Sequence, residues 1–216
     1  MIDREELLDR LYASVLSGDA DGAVAATEEG LGGDIEPTAL LFDAMIPALE
    51  EVGRLFESGE VFLPEMLTAA NAMRGAMTIL RPLIVAAGVA TIGRFVMGTV
   101  AGDIHDVGKN LCDVMLEGAG FEVIDLGINV PGQRFVDAIR DLQPDVVGMS
   151  AFLTTTAREF ARNIEMIERA GLRDRVKILI GGAPVDQAMV ESSGADGFAP
   201  DASAAVRLTK TVLGIP

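Results

Sequence analysis

The segment GDIHDVGKN, residues 102–110, contains the one histidine of the chain. His105 stands between Asp103 and Asp106, and a glycine lies on each side of this group. A neutral imidazole is a common metal ligand, and a carboxylate that accepts a hydrogen bond from its other ring nitrogen fixes the tautomer and raises the basicity of the ligand. These residue types at this spacing favour a site in which His105 binds a metal and an aspartate orients it.

A phosphate loop and a conventional metal cluster both fit this segment poorly. The pattern G-x4-G-K-[ST] fails twice, because five residues separate Gly102 from Gly108 and Asn110 stands at the hydroxyl position. Zinc and iron sites usually need three or four protein ligands, whereas the chain has one His and one Cys. Mg²⁺ on the carboxylates is an alternative that leaves the histidine unexplained. A metal held in a macrocycle needs one axial histidine and explains it.

The second half of the chain alternates short apolar runs with helical segments, which predicts a parallel sheet with crossover helices. The expected strands are FVMGTV (95–100), FEVIDL (121–126), DVVGMS (145–150), VKILIG (176–181) and ADGFA (195–199). The expected helices lie near 108–119, 132–142, 157–170, 184–192 and 201–213. We predict a doubly wound, flavodoxin-like α/β domain with five parallel strands in the order 2-1-3-4-5.

Ligands of such a sheet bind beyond the carboxyl ends of its strands, near the point where the strand order reverses. The loop after strand 1 contains His105, the loop after strand 3 is SAFLTTT (150–156), and the loop after strand 4 is GGAP (181–184). If the strand order is as predicted, these three loops of small and polar residues meet at one edge and form a binding site.

The first half has helical periodicity and predicts a four-helix bundle. The helices are expected at 3–17, at 20–31, from Pro37 to Gly59 and from Leu63-Pro64 onward, and Pro47 is expected to kink the third. The two halves separate near 82–93, which gives a bundle at 1–88 and an α/β domain at 89–216. Gly88 and Gly93 are candidate hinge residues in this connection.

Charge and hydropathy exclude two classes of partner. The net charge of −16 argues against nucleic acid, because binding to the phosphate backbone requires basic patches. The longest apolar run, residues 83–93, is shorter than the roughly 20 residues that cross a bilayer. The N-terminal stretch is charged and is not typical of a signal peptide. A cytoplasmic protein without a membrane or nucleic-acid partner is expected.

Together these motifs resemble cobalamin-binding domains. Residues 103–108, DIHDVG, resemble the Asp-x-His-x-x-Gly signature, and Ser150 with Phe152 and Gly181-Gly182 resemble the Ser-x-Leu and Gly-Gly elements that follow it. The stretch GRLFESGEVFLPEMLTAANAM (53–73) resembles the helical cap that protects the methyl group. The likeness covers nearly the whole chain. It is greatest to free-standing corrinoid proteins of methyltransferase systems and extends to the cobalamin module of methionine synthase. Phe152 departs from the usual leucine.

The resemblance implies a cofactor, methylcobalamin or a related corrinoid, whose cobalt takes His105 as its lower axial ligand. Asp103 would hold His105, and Thr156 would end a proton relay. Other loop residues that the resemblance assigns to cofactor binding are Gly102, Asp106, Val107 and Gly108. The slot for the displaced nucleotide tail would be formed by Ser150, Phe152, Thr154, Gly181, Gly182, Ala199 and Asp201.

Two bundle residues, Phe62 and Met66, are assigned by the resemblance to the upper face of the corrin. The plainer interpretation, that such residues belong to the bundle core, stays open beside it. For Asp201, the alternative is a helix cap.

The function implied is that of a methyl carrier, which accepts a methyl group on cobalt from a substrate-specific methyltransferase and gives it to a second methyltransferase. A reductive activator is a further possible partner, and no independent turnover is expected. The alternatives are a B12-dependent sensor or regulator and a cobalamin-binding isomerase subunit. The sequence leaves the methyl donor open among methanol, methylamines, betaines and aryl methyl ethers.

Overall fold

The computed structural model describes residues 3–87 and 91–215. The chain divides into two compact units, one comprising Met1–Thr91 with Gly118–Gly120 and the other comprising Ile92–Glu117 with Phe121–Pro216. Residues 88–90 lie outside the described part of the chain, so the domain boundary expected between residues 88 and 89 stays a prediction.

The first unit is a helical bundle, as the sequence predicted. Its helices are α1 (Arg4–Ser17), α2 (Ala20–Gly32), α3 (Pro37–Ala39), α4 (Ile46–Ser58) and α5 (Leu63–Ala86). Asp3 accepts hydrogen bonds from the first backbone amides of α1, and Leu7, Leu11 and Val15 form its buried face. The apolar spacing and the N-terminal cap therefore fix this helix in the way that the sequence indicates.

The helix around Pro47 changes its hydrogen-bond pattern rather than stopping. Between α3 and α4, residues Leu40–Met45 form a π-helical segment, and the amide of Ile46 donates to the carbonyl of Leu41, five residues earlier. Proline has no N–H to donate and its ring crowds the preceding turn, so a wider turn beside it relieves the conflict. Gly59 then ends α4 with a φ of 77° in the left-handed region.

The connection between the halves begins later than the proline that precedes it. The sequence placed the break between the halves near 82–93; α5 continues through Pro82 to Ala86, and the two compact units divide between Thr91 and Ile92. Gly93, a candidate hinge, is tied to the sheet because its carbonyl accepts from the amide of Glu122 at 2.9 Å. The other candidate, Gly88, lies outside the described residues.

The second unit is a five-stranded parallel sheet with the predicted order β2-β1-β3-β4-β5. The strands are β1 (Arg94–Thr99), β2 (Glu122–Asp125), β3 (Val146–Ser150), β4 (Lys177–Gly181) and β5 (Gly197–Ala199). The helices between and after them are α6 (Val107–Gly118), α7 (Gly132–Leu142), α8 (Glu159–Arg169), α9 (Gln187–Ser193) and α10 (Ala202–Leu213).

The central strands are buried along almost their whole length, which explains their continuous apolar sequences. Every residue of β1 after Arg94 is buried, and Val96, Val147 and Ile178 belong to one apolar cluster with side chains of α7 and α8. Within the described residues, no helix combines the length and apolar character needed to cross a membrane.

Candidate functional site

One row of aligned residues crosses four strands at their carboxyl ends. Thr99 is opposite Ser150, Ser150 is opposite Gly181, and Gly181 is opposite Ala199. The loops that follow β1, β3 and β4 therefore begin side by side. The predicted strand order brings the His105 loop and the two small-residue loops to the same edge of the sheet.

The loop after β1 is held by the neighbouring loop after β2. Gly102 has a φ of 80°, a conformation that favours glycine, and its amide donates to Oδ1 of Asn129 at 2.7 Å. The amide of Asn129 in turn donates to the carbonyl of Asp103 at 2.9 Å. Asn129 itself has a positive φ of 51°. These reciprocal bonds set the position of the loop before any side chain of the histidine motif is considered.

Asp103 is the centre of the site's hydrogen bonding and is buried. Its Oδ1 accepts from the amide of His105 at 3.0 Å and contacts Nδ1 of the same residue at 2.7 Å. Its Oδ2 accepts from the amide of Phe152 at 2.8 Å, the amide of Leu153 at 3.3 Å and Oγ1 of Thr156 at 2.5 Å. One carboxylate therefore joins the loops after β1 and β3.

These bonds decide the charge of Asp103. Burial acts to raise its pKa, but hydrogen bonds from the Thr156 hydroxyl, from the amide and ring of His105 and from the Phe152 amide outweigh burial and hold the pKa well below its ordinary value. Asp103 is therefore ionised throughout the neutral range and acts only as an acceptor.

The ionised Asp103 fixes the tautomer of His105. A carboxylate cannot donate, so the Nδ1 atom that lies 2.7 Å from Oδ1 carries the proton, and a neutral ring has its lone pair on Nε2. The His105 side chain is 47% exposed, and within the described residues no hydrogen bond engages Nε2. The arrangement presents one basic nitrogen at the edge of the sheet.

Phe152 stacks on His105, with ring centroids 4.4 Å apart and an angle of 27° between the ring planes. The sequence-based interpretation placed this side chain only in the wall of the tail slot. The phenylalanine remains 53% exposed although it covers one face of the imidazole. The role of this residue is therefore tied to the histidine more closely than the sequence indicated.

Two hydroxyl groups support the backbone of His105. Oγ1 of Thr99 is 3.1 Å from the carbonyl oxygen of His105 and 2.8 Å from Oγ of Ser150. The resemblance assigned Ser150 to the tail slot, and the structure adds a second contact, through Thr99, to the histidine loop. Thr99 itself is fully buried at the end of β1.

Gly181 and Gly182, at the end of β4, are glycines for different structural reasons. A Cβ at Gly181 would meet only the carbonyl oxygen of Ala199, at an ordinary 3.6 Å, so this glycine leaves usable space. Gly182 has a φ of 126°, and a Cβ there would lie 1.9 Å from the carbonyl oxygen of Ala151. The backbone alone requires Gly182, whereas Gly181 keeps an opening at the end of the strand.

The other residues assigned to the tail slot lie at the same edge with simpler surroundings. Thr154 is exposed, and Ala199 is half-buried at the end of β5. Asp201 accepts from the amide of Ala204 at 2.7 Å and caps α10, which is the alternative that the sequence left open. The cap does not decide whether Asp201 also contacts a ligand, so that assignment stays a prediction.

The rest of the histidine loop begins α6. The carbonyl of Asp106 accepts from the amide of Asn110 at 2.7 Å, and its Oδ2 accepts from Nδ2 of the same residue at 3.1 Å. Val107 and Gly108 are exposed, and a Cβ at Gly108 would meet nothing within 4 Å. These residues form an open surface beside His105.

The two bundle residues assigned to the cap differ in exposure. The Phe62 side chain is 65% exposed at the start of α5, where its amide donates to Oε2 of Glu65 at 3.1 Å. Met66, one turn later, is fully buried. Phe62 therefore has a surface free to meet a ligand, whereas the burial of Met66 is typical of a core residue, and both assignments stay predictions.

Sequence reasoning missed Thr99, Asn129 and Lys109. Lys109 is buried and its ammonium contacts Oδ2 of Asp113 at 2.8 Å and Oδ2 of Asp125 at 2.7 Å, which ties α6 to the end of β2. A signal for Lys109 was available, since a lysine one turn before an aspartate on an apolar helix predicts an ion pair. No local pattern marks Thr99 or Asn129, because their partners are distant in sequence.

Comparison with known proteins agrees with this geometry. Models of the B12 binding domain match residues 7–81 and 93–207, and the second match spans more than half of the chain. The chain is 39% identical over 213 residues to dimethylamine corrinoid protein 1 of Methanosarcina acetivorans, which covers 98% of this chain and 100% of the relative. The chain belongs to the corrinoid protein family.

Solved structures place this corrinoid protein in the same fold. A novel cobalamin-binding protein from Desulfitobacterium hafniense DCB-2 matches with a TM-score of 0.74 at 30% identity and covers 94% of this chain and 97% of that one. The methanol:cobalamin methyltransferase complex MtaBC from Methanosarcina barkeri matches with a TM-score of 0.84 at 26% identity, with coverage of 98% and 81%.

The donor set of this corrinoid protein fits a corrinoid and does not fit a bare metal ion. Within residues 3–87 and 91–215, no group of three or more His, Cys, Asp or Glu side chains could hold a metal ion. A corrin ring supplies four equatorial nitrogens of its own, so a single oriented imidazole is enough. His105 with its Nε2 unengaged by the described residues meets that requirement.

Proposed function

We propose that this corrinoid protein is a methyl carrier in which His105 is the lower axial ligand of the cofactor's cobalt. The observation that carries the proposal is the linked set of His105, Asp103 and Thr156 at the carboxyl edge of the sheet, with bonds of 2.7 and 2.5 Å along it. The bound cobalt would supply the chemistry that accepts and releases the methyl group. The protein's part is to present Nε2, to orient it and to accept a proton at that atom when the metal is not bound there.

Each member of the set has a definable role. Asp103 keeps the Nδ1 proton in place, so that Nε2 carries the lone pair. The Thr156 hydroxyl donates to the other oxygen of Asp103 and so limits the charge that the histidine must compensate. Binding of a metal and binding of a proton compete for Nε2, so release of the ligand allows the set to take up one proton at that atom.

The edge beyond His105 is the proposed slot for the displaced nucleotide tail. Gly181 leaves space for the tail at the end of β4. A Cβ there would contact only the carbonyl oxygen of Ala199, so a larger side chain would occupy this space. Ser150 and Ala199 flank Gly181 in the register of the sheet. We also assign Thr154, Gly102, Asp106, Val107, Gly108 and Asp201 to the neighbourhood of the cofactor.

The tail slot is tested by the change Gly181→Val. The new side chain should lower affinity for cobalamin more than for cobinamide, which lacks the nucleotide. Gly182→Val is unsuitable for this purpose, because its clash with Ala151 would disturb the loop whether or not a tail binds there. Equal losses for both ligands would show that the valine does not act on a buried tail.

The bundle is the proposed cap over the methyl group, with Phe62 as its contact residue. The exposed ring of Phe62 fits a side chain that packs on a ligand outside its own helix bundle. Phe62→Ala should therefore speed photolysis of bound methylcobalamin. Phe42→Ala is the matched control, since Phe42 is also an exposed aromatic residue of the bundle, at 45%. Equal photolysis rates for the two variants would contradict the cap.

The proposed partners are methyltransferases. Relatives named dimethylamine and trimethylamine corrinoid proteins make a methylamine the first donor to test, and the likeness to a methanol:cobalamin methyltransferase complex makes methanol the second. A second methyltransferase as acceptor, a reductive activator and a cytoplasmic location complete the proposal. A sensor or isomerase subunit would use the same histidine but has no observation here in its favour.

The proposal is tested by adding hydroxocobalamin to the purified protein and recording the absorption spectrum and the binding stoichiometry. We expect one bound cobalamin per chain with a spectrum that changes in His105→Ala. Asp137→Asn, which alters an exposed ion pair on α7, is the control and should behave as the wild type. A chain that binds no cobalamin, or a His105→Ala spectrum identical to that of the wild type, would contradict the proposal.

A further inference from the structure

The aromatic ring of Phe152 has no part in the hydrogen-bonded set described above. It lies over one face of the His105 imidazole, with ring centroids 4.4 Å apart and 27° between the ring planes, and about half of it is exposed. A large apolar side chain that stays half exposed while covering a polar ring gains less from burial than it would in the core. Its placement is better explained by what it does to the histidine.

We infer that Phe152 is a positioning residue, which fixes the plane of the His105 ring so that Nε2 faces the cofactor before the cofactor binds. This inference rests on the proposed function, because it concerns the residue that we propose as the axial ligand. Phe152 acts through His105 and not by contact with the reacting atoms.

A hydrogen bond alone does not fix the ring. The bond from Nδ1 to Asp103 holds one atom at the ring's edge, but the ring can still tilt about that atom. The stacked phenyl ring restricts this tilt, because an offset stacked pair loses contact when one ring rotates. An edge contact and a face contact together leave Nε2 in one direction.

The backbone of Phe152 links the two contacts. Its amide donates to Oδ2 of Asp103 at 2.8 Å, while Oδ1 of the same carboxylate holds Nδ1 of the histidine. The carboxylate therefore sets the position of both stacked rings. A substitution of the Phe152 side chain keeps this amide bond, so it removes the stacking without removing the anchor.

The expected effect is moderate. Aromatic pairs of this kind are stronger than their buried area alone suggests, by an amount equal to about a twofold to tenfold change in an equilibrium constant. Loss of a preorganised ring should weaken cobalamin binding by a factor in that range. Since the ring acts at the axial end, cobinamide should be affected by the same factor as cobalamin.

The competing interpretation is that Phe152 forms only a wall of the tail slot, as the sequence suggested. A wall would affect cobalamin, which has a nucleotide tail, and would leave cobinamide unchanged. The variant Phe152→Leu separates the two interpretations, because leucine keeps apolar bulk in the wall but cannot stack. Phe152→Tyr should restore the wild-type behaviour.

The test has one arm without cofactor and one with it. In the cofactor-free protein, the orientation of the His105 ring is measured by NMR from three-bond couplings and from contacts between protons, in the wild type, Phe152→Leu, Phe152→Tyr and Leu153→Ala. Chemical shifts alone are not used, because loss of a stacked phenyl ring shifts nearby signals by itself. Leu153 is an exposed neighbour whose side chain makes no ring contact with His105. With cofactor, the affinities for cobalamin and cobinamide and the imidazole nitrogen coupling of the Co(II) state are compared in the same four proteins.

We expect the His105 ring to average over more than one orientation in Phe152→Leu and to keep one orientation in Phe152→Tyr and Leu153→Ala, with a reduced histidine-bound fraction in Phe152→Leu alone. A single, unchanged ring orientation in Phe152→Leu, or a loss of affinity for cobalamin but not for cobinamide, would overturn the inference and leave the proposed function intact. Absence of imidazole coupling in the wild type would overturn the proposed function, and the inference with it.

Discussion

Two buried carboxylates of the second unit, Asp103 and Asp113, have pKa values displaced in opposite directions. Asp103 meets five hydrogen-bond donors, and these hold its pKa below the ordinary value in spite of burial. Burial raises the pKa of Asp113 to about 6, against the nearby Lys109 ammonium and with support from the charges of Asp125 and Glu117. Burial acts on both groups, so the donors around Asp103 and the neighbouring carboxylates around Asp113 decide the difference between their pKa values.

The comparison explains which carboxylate can serve the histidine. Asp103 remains charged and therefore holds the Nδ1 proton of His105 at any neutral pH. Asp113 shares one ammonium with Asp125, and within the described residues its Oδ1 has no hydrogen-bond partner. Asp113 therefore helps to tie α6 to the sheet, but it lacks the set of donors that keeps Asp103 ionised.

The largest effect is expected from Asp103→Asn. The amide group of asparagine would turn a donor toward donors of the two loops, and the charge that attracts them would be lost. We expect the free energy of unfolding to fall by roughly 3 kcal/mol or more, measured by urea denaturation. Asp137→Asn, which removes an exposed charge, should change it by less than about 1 kcal/mol. Similar small losses for both variants would contradict the central role of Asp103.

The second prediction concerns the pH dependence of stability at Asp113. Its folded pKa lies above the ordinary unfolded value of about 3.9, so the folded state binds more protons between about pH 4 and 6, and stability falls as pH rises through that window. Relative to Asp113→Asn, the wild type should lose roughly 2 to 3 kcal/mol across it. Asp103 contributes a slope of the opposite sign at lower pH, since its stabilisation is present above about pH 4 and is lost progressively as pH falls below that value.

That prediction is checked by urea denaturation of the wild type and Asp113→Asn at several pH values between 4 and 7. A difference between the two proteins that does not change with pH would show that Asp113 titrates in the folded protein as it does in the unfolded chain.

A smaller effect is expected from Asn129→Gly. Glycine tolerates the positive φ of this position, so the change mainly removes the side-chain bond to the amide of Gly102. We expect the free energy of unfolding to fall by about 1 kcal/mol, because the loop that contains Asp103 loses one hydrogen bond. Asn129→Asp keeps the acceptor and is the matched control. A loss of the same size in both variants would mean that the acceptor is not what stabilises the loop.

Much of the fold followed from the sequence, because its signals are local. Apolar runs of five or six residues between helical segments located the strands, and the order of the sheet followed from the general rules for parallel crossovers. The continuation of α5 through Pro82 did not follow from the sequence, because a proline inside a helical pattern ordinarily ends or kinks the helix. The π-helical segment before Pro47 has no sequence signature that could have fixed its position.

The candidate site followed in part. His105, Asp103 and Thr156 were found through a motif, and the structure brings them together within hydrogen-bond distance. The stacking of Phe152 on His105 and the hydrogen bonds of Asn129 to the histidine loop could not be predicted from the sequence. Both depend on how separate loops approach each other in three dimensions. The distinction between Gly181 and Gly182 also required backbone geometry, since the sequence presents them as an equivalent pair.

The axial role of His105 is tested most directly by electron paramagnetic resonance of the Co(II) protein, produced without a histidine tag and labelled with nitrogen-15 in histidine. The chain has one histidine, so every labelled imidazole is His105. We predict nitrogen coupling on cobalt whose splitting changes from the nitrogen-14 to the nitrogen-15 pattern when the label is introduced. Coupling that is unaffected by the label, as the cofactor's own base would give, would contradict the assignment of His105 as the cobalt ligand.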